Sequence, residues 1–90
     1  MKTILVIEDT ELNIDLITQL LEDEYNLVIA KDGAQGVEMA QSQQPDLILM
    51  DMALPVMDGY EATKKIRETN KTLPIIGLSS HAMSGDEVKA

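Results

Sequence analysis

Three acidic residues stand where apolar runs of the sequence end. Glu8 and Asp9 follow the run at residues 4–7, and Asp51 follows the run at residues 47–50. In an open parallel sheet, ligands bind at the carboxyl ends of the strands. If the first and third strands are neighbours, the three carboxylates gather at one edge of the sheet.

Three carboxylates at such short range repel one another, and at least one has a raised pKa unless a cation joins them. Mg²⁺ prefers oxygen ligands and is typically held by one or two carboxylates with water and a phosphate oxygen. Asp51, at the end of a central strand, is then the expected nucleophile for an acyl phosphate. A hydroxyl after the fourth apolar run could bond a phosphoryl oxygen. Ser79 is the first candidate for that role, and Ser80 competes with it.

Four short apolar runs alternate with segments of helical periodicity, and this order indicates how the acids are positioned. The predicted strands are residues 4–7, 26–30, 47–50 and 75–78. The first predicted helix carries a stripe of Leu12, Leu16 and Leu20 with Ile17 and Leu21 beside it. The others are residues 34–43, residues 60–68, and a fourth that begins near Ser84. Asp9 or Thr10 is expected to cap the first helix. Tyr60 is expected to pack the third helix, and Gly59 to take a left-handed conformation.

Strands that alternate with helices imply right-handed crossovers and a doubly wound parallel sheet of the α/β class. The chain has 90 residues, which fits a single domain over residues 1–90. It contains no cysteine, which excludes a disulfide framework and a thiolate metal site. The net charge of −9 disfavours non-specific binding to nucleic acid or an anionic membrane. With no signal peptide or membrane span in the sequence, a cytoplasmic location is predicted.

These features resemble the receiver domain of two-component response regulators. The resemblance rests on ILVIED at residues 4–9, on Asp51 followed by Pro55, Met57 and Asp58-Gly59, and on PIIGLS at residues 74–79. The motifs span nearly the whole chain in the order and at the spacing of that family. The resemblance implies a flavodoxin-like fold with strand order 2-1-3-4.

The same resemblance implies a role for each site residue. Asp51 would accept a phosphoryl group from the phosphohistidine of a histidine kinase or phosphotransfer protein. Glu8, Asp9 and Asp51, with the backbone carbonyl of Ala53, would hold Mg²⁺. Ser79 would turn inward to bond the phosphoryl group. The domain would act in signalling, not as an enzyme with turnover.

The C-terminal region departs from the family pattern. The family usually continues with a fifth strand and a fifth helix, and the fifth strand carries a lysine that pairs with the phosphoryl group. Lys89 comes too early to be that lysine. The sequence therefore predicts a receiver truncated at its C-terminus, with impaired phosphorylation and an exposed fourth-strand edge available for self-association.

Two other functions fit parts of the sequence. A phosphohydrolase with an aspartyl nucleophile commonly needs a second Asp two residues later, and Ala53 stands there. A module that only binds, by pairing or exchanging strand edges, is the second alternative. Separately, Glu8 and Asp9 could simply cap the first helix, where acids suit the helix dipole.

Overall fold

The computed structural model describes residues 1–52 and 57–78. Its elements alternate in the predicted order, and the bounds differ from the prediction by one residue at most. They are β1 (Thr3–Ile7), α1 (Glu11–Leu21), β2 (Asn26–Ala30), α2 (Gly33–Ser42), β3 (Leu47–Asp51), α3 (Gly59–Thr69) and β4 (Ile75–Leu78). The predicted fourth helix lies outside the described residues.

The four strands form one parallel sheet in the order β2-β1-β3-β4. This confirms the predicted doubly wound α/β class and its strand order. β1 lies between β2 and β3, with Val6 opposite Ile29 on one side and Leu49 on the other. The direction of strand addition reverses between β1 and β3. Open α/β sheets bind ligands at the carboxyl ends of the strands beside such a reversal.

The helices divide between the two faces of the sheet. Right-handed crossovers place α1 on one face and α2 and α3 on the other, because the chain reverses direction across the sheet after β2. The main core lies between the sheet and the α2–α3 layer. Its members are buried apolar side chains: Leu5, Ile7, Ala30, Ile48, Met50, Ala62, Ile66 and Leu73. The inward orientation predicted for Ala62 and Ile66 is confirmed.

Helix α1 exists as predicted, but only part of its predicted apolar stripe faces inward: Ile17 and Leu21 are partly buried. Ile14 is the buried residue of this helix, whereas Leu12, Leu16 and Leu20 are 66%, 48% and 77% exposed. The four-residue spacing that identified the helix therefore marks its outer surface. Tyr60 is also exposed, at 74%, so the prediction that it packs α3 is wrong.

Side-chain caps fix the starts of the two helices on the core face. The Asp32 carboxylate accepts a hydrogen bond from the Gln35 amide at 2.7 Å, and the Asp58 carboxylate accepts one from the Glu61 amide at 2.9 Å. Thr10 occupies the cap position of α1, as one of the two predicted choices, but its side chain makes no capping bond. Each aspartate cap contributes about 1 kcal/mol to helix stability.

Gly59 is required for close approach and not for a left-handed backbone, which corrects the prediction. It begins α3, and a Cβ there would lie 2.7 Å from Cα of Met52 and 2.9 Å from the Asp51 carbonyl oxygen. Both are backbone atoms directly at the end of β3. The start of α3 is thus pressed against the strand end that carries Asp51.

We expect Gly59→Ala to lower the free energy of unfolding by about 1–3 kcal/mol, because backbone atoms must move to admit the methyl group. Gly77→Ala is a matched control, since the added Cβ would meet the flexible Met52 side chain, with Sδ at 3.0 Å. Urea titrations of both variants measure the difference. A Gly59→Ala variant as stable as Gly77→Ala would contradict the packing described.

Candidate metal and phosphoryl site

The three predicted acids meet at the carboxyl edge of the sheet. Asp51 is the last residue of β3, and Glu8 and Asp9 follow the end of β1 directly. The two strands are neighbours, with Ile7 opposite Met50. One carboxylate oxygen from each acid lies within 4.8 Å of those of the other two.

The three carboxylates differ in their access to water. Glu8 is buried, with 3% of its surface exposed, while Asp51 is partly buried and Asp9 is exposed. The group therefore extends from the interior of the domain to solvent. A cation bound there would have protein oxygens on its inner side and open positions on its outer side.

The buried position of Glu8, next to Asp51, disfavours its charged form. Burial raises the pKa of its carboxyl group above the ordinary value of 4.5, and the neighbouring Asp51 carboxylate raises it further. A hydrogen bond from the Thr10 amide to Oε2, at 3.2 Å, and one with the Asn13 side chain act in the opposite direction. The net upward shift means that the metal-free site binds protons more readily than an exposed glutamate does.

The donor set suits a hard divalent cation such as Mg²⁺. All three side chains offer oxygen, the ligand type that Mg²⁺ takes. One oxygen of each acid lies within 4.8 Å of the other two, so a single cation between them could be held by all three residues.

Backbone hydrogen bonds hold both strand ends at the site. The Glu8 amide donates to the Ala30 carbonyl of β2, and the Met52 amide donates to the Leu78 carbonyl of β4, each at 2.9 Å. Leu78 lies opposite Asp51 in the β3–β4 register. The chain therefore leaves β4 next to Asp51. The predicted site residues Ser79 and Ala53 themselves lie outside the described residues.

Sequence reasoning missed two groups that surround Glu8. The Thr10 amide and the Asn13 side chain both bond its carboxylate. Asn13 occupies the first turn of α1, where its spacing from the acids gave a weak signal. Nearby, Lys31 after β2 forms an ion pair with Glu11, with Nζ 2.5 Å from Oε1. Both residues of that pair are exposed, so it contributes little to stability.

Comparison with known proteins gives a family match over most of the chain. Residues 4–90 match the family described as "Response regulator receiver domain". The polar-differentiation response regulator DivK of Brucella anthropi is 36% identical over 89 residues. That alignment spans 96% of this chain and 72% of DivK.

Solved structures show the same architecture. The receiver domain of a sensor histidine kinase from Pseudomonas aeruginosa, with a magnesium ion coordinated in its active-site cleft, aligns with a TM-score of 0.86 and 40% identity. The alignment covers 97% of this chain and 74% of that one. A CheX–CheY–BeF3–Mg²⁺ complex from Borrelia burgdorferi aligns with a TM-score of 0.83 and 25% identity, covering 88% of this chain and 62% of that one. Among the described residues, no helix is long and apolar enough to span a membrane.

Proposed function

Because the chain belongs to the response regulator receiver domain family of two-component signalling, we propose that it accepts a phosphoryl group on Asp51 in a Mg²⁺-dependent reaction. The donor is the phosphohistidine of a histidine kinase or phosphotransfer protein. The observation that carries the proposal is the meeting of Glu8, Asp9 and Asp51 at the end of neighbouring strands. Receiver domains are signalling domains, and the proposed reaction is a single transfer without turnover of a substrate.

Asp51 is suited to be the nucleophile by its position. It is partly buried at the end of an internal strand, whose pairing to β1 and β4 fixes its backbone on both sides. Asp9 is more exposed and Glu8 is more buried. Of the three acids, Asp51 therefore combines a fixed position with access for an incoming phosphoryl group.

Glu8, Asp9 and Asp51 would hold the metal ion, and the carbonyl of Ala53 is proposed as a further ligand. When bound, Mg²⁺ supplies positive charge that offsets the repulsion among the carboxylates and the charge of the phosphoryl oxygens. The similar receiver domain of the Pseudomonas aeruginosa histidine kinase, which has magnesium in its active-site cleft, supports this choice of metal. The CheY complex that contains BeF3 and Mg²⁺ supports a site that takes both together.

In the proposed transfer, a carboxylate oxygen of Asp51 attacks phosphorus in line with the bond to the donor imidazole. The new P–O bond forms as the P–N bond breaks, and the imidazole nitrogen leaves with the bonding electron pair. That nitrogen is neutral once it leaves a phosphohistidine protonated on its other ring nitrogen. The products are aspartyl phosphate and histidine. Ser79 is proposed to donate its hydroxyl hydrogen to a phosphoryl oxygen.

The proposal is tested with a small phosphodonor in place of the kinase. The chain is incubated with acetyl phosphate with and without Mg²⁺, and intact-mass spectrometry follows the protein. We expect slow addition of one phosphoryl group, and only when Mg²⁺ is present, because the sequence predicts impaired phosphorylation. Absence of any adduct at saturating Mg²⁺, in a chain that remains folded, would refute phosphoacceptance by this form of the domain.

A further inference from the structure

The Glu8 side chain is directed towards the start of helix α1. Glu8 is 3% exposed, whereas its chain neighbour Asp9 is exposed to solvent. Its Oε2 atom accepts a hydrogen bond from the amide of Thr10, the residue at the cap position of α1. Asn13, the third residue of the helix, is half-buried, and its side-chain amide donates to the same carboxylate. Two donors from the start of α1 therefore converge on this one carboxylate.

These two bonds take the place of an ordinary helix cap. In α2 and α3, an aspartate at the cap position accepts from the backbone amide of the third helical residue. In a capping box, the side chain of that third residue also reaches back to the amide of the cap residue. In α1 the Thr10 side chain makes no capping bond, and both the Thr10 amide and the Asn13 side chain bond Glu8 instead. The start of α1 is thus arranged around the Glu8 carboxylate.

Glu8 needs such support if it is to act as a metal ligand. Glutamate has one more rotatable side-chain bond than aspartate, so its carboxylate is less fixed by the backbone. One of its oxygens nevertheless lies within 4.8 Å of oxygens of Asp9 and Asp51. Hydrogen bonds to the carboxylate ligands of a metal fix their orientation and increase the affinity of the site. Asn13 lies where such a bond is made.

We propose that Asn13 is a positioning residue of the metal site, which holds the Glu8 carboxylate at the angle where it shares a cation with Asp9 and Asp51. Asn13 acts through Glu8 and is not itself a ligand. The inference rests on the proposed function, because it takes Glu8 as a ligand of Mg²⁺. Burial raises the pKa of Glu8, and the bond from Asn13 opposes that rise, which favours the charged form that binds a cation.

A role in helix stability alone does not explain Asn13. Asparagine is a poorer helix former than alanine, because its side chain competes with the backbone for hydrogen bonds. Helix α1 would therefore gain propensity if alanine replaced Asn13, and the Asn13→Ala variant should stay folded. A stabilising role and a positioning role predict different losses, the first in the free energy of unfolding and the second in the affinity for Mg²⁺.

Titration of the metal-free chain with Mg²⁺, followed by amide NMR, tests the inference. Asn13→Ala is expected to bind Mg²⁺ about tenfold more weakly than the original chain, as changes behind metal ligands typically do. Asn13→Gln keeps the amide donor and should recover part of this loss. Gln19→Ala is the matched control, since it removes an exposed amide from the same helix and should leave the affinity unchanged. The spectrum without metal and urea unfolding in chelator show that each variant is folded.

A double-mutant cycle with Glu8→Ala separates positioning from a general effect on the fold. If Asn13 acts through Glu8, adding Asn13→Ala to Glu8→Ala should change the Mg²⁺ affinity by less than about twofold. Full additivity of the two changes would overturn the inference and leave the proposed function standing. An Asn13→Ala chain that binds Mg²⁺ as tightly as the original would do the same. An original chain that does not bind Mg²⁺ would instead refute the metal site, and both proposals with it.

Discussion

The Asp51→Asn variant is expected to take up no phosphoryl group from acetyl phosphate, even at saturating Mg²⁺. The amide is nearly the same size as the carboxylate but is not a nucleophile of comparable strength, so the acyl phosphate cannot form. Intact-mass spectrometry over a time course measures the loss. Because Asp51 is only partly buried and at a strand end, the fold should persist.

The matched control is Asp58→Asn. Asp58 caps α3, and asparagine is an equally good cap. This change therefore removes one negative charge near the site but keeps the proposed nucleophile. Phosphorylation of the control should proceed as in the original chain. An Asp51→Asn protein that still gains a phosphoryl group would show that another residue is the acceptor.

The Glu8→Gln variant is expected to be more stable than the original chain without metal at neutral pH, yet to bind Mg²⁺ at least about tenfold more weakly. Burial and the Asp51 carboxylate both disfavour the charged form of Glu8, as its raised pKa shows, and the neutral amide removes that cost. The loss of affinity follows because even changes behind the ligands weaken metal sites about 10–100-fold. Urea unfolding with chelator and Mg²⁺ titration measure the two effects.

The direction of the pH dependence follows from the same shift. A group whose pKa is higher in the folded than in the unfolded state stabilises the fold at pH values below the unfolded pKa, and this contribution is lost as pH rises through the folded pKa. The stability advantage of Glu8→Gln in chelator should therefore shrink as the pH is lowered from 7. Glu38→Gln, at an exposed position on α2, should show neither effect. A Glu8→Gln chain that is less stable without metal would contradict the account.

The parallel sheet was predictable because its signal is local. Each strand is a short apolar run bounded by polar residues. Strands of a parallel sheet are buried on both faces, so a continuous apolar run is enough to predict them. The acids could be placed at one edge because parallel strands end at the same side of a sheet. The 4.8 Å grouping of Glu8, Asp9 and Asp51 agrees with that prediction. Their roles as metal ligands and acceptor remain proposals.

The orientation of α1 was not predictable from spacing alone. Leu12, Leu16 and Leu20 recur with helical spacing, and so do Ile14, Ile17 and Leu21. Tertiary packing decides which of the two sets faces inward. The packing that requires glycine at position 59 was also not predictable, because the close approach of Met52 depends on how α3 packs against the end of β3. Ser79 and Ala53, which the resemblance to the family identified, lie outside the described residues and stay predictions.

The most direct test of the central claim is an amide NMR spectrum of the chain with Mg²⁺, recorded before and after addition of beryllofluoride as a phosphoryl mimic. The account predicts shifts centred on Asp51, Glu8 and Asp9, with the Asp51→Asn variant unresponsive. A well-dispersed spectrum that does not change on addition, or shifts centred away from the carboxyl edge of β1 and β3, would contradict it.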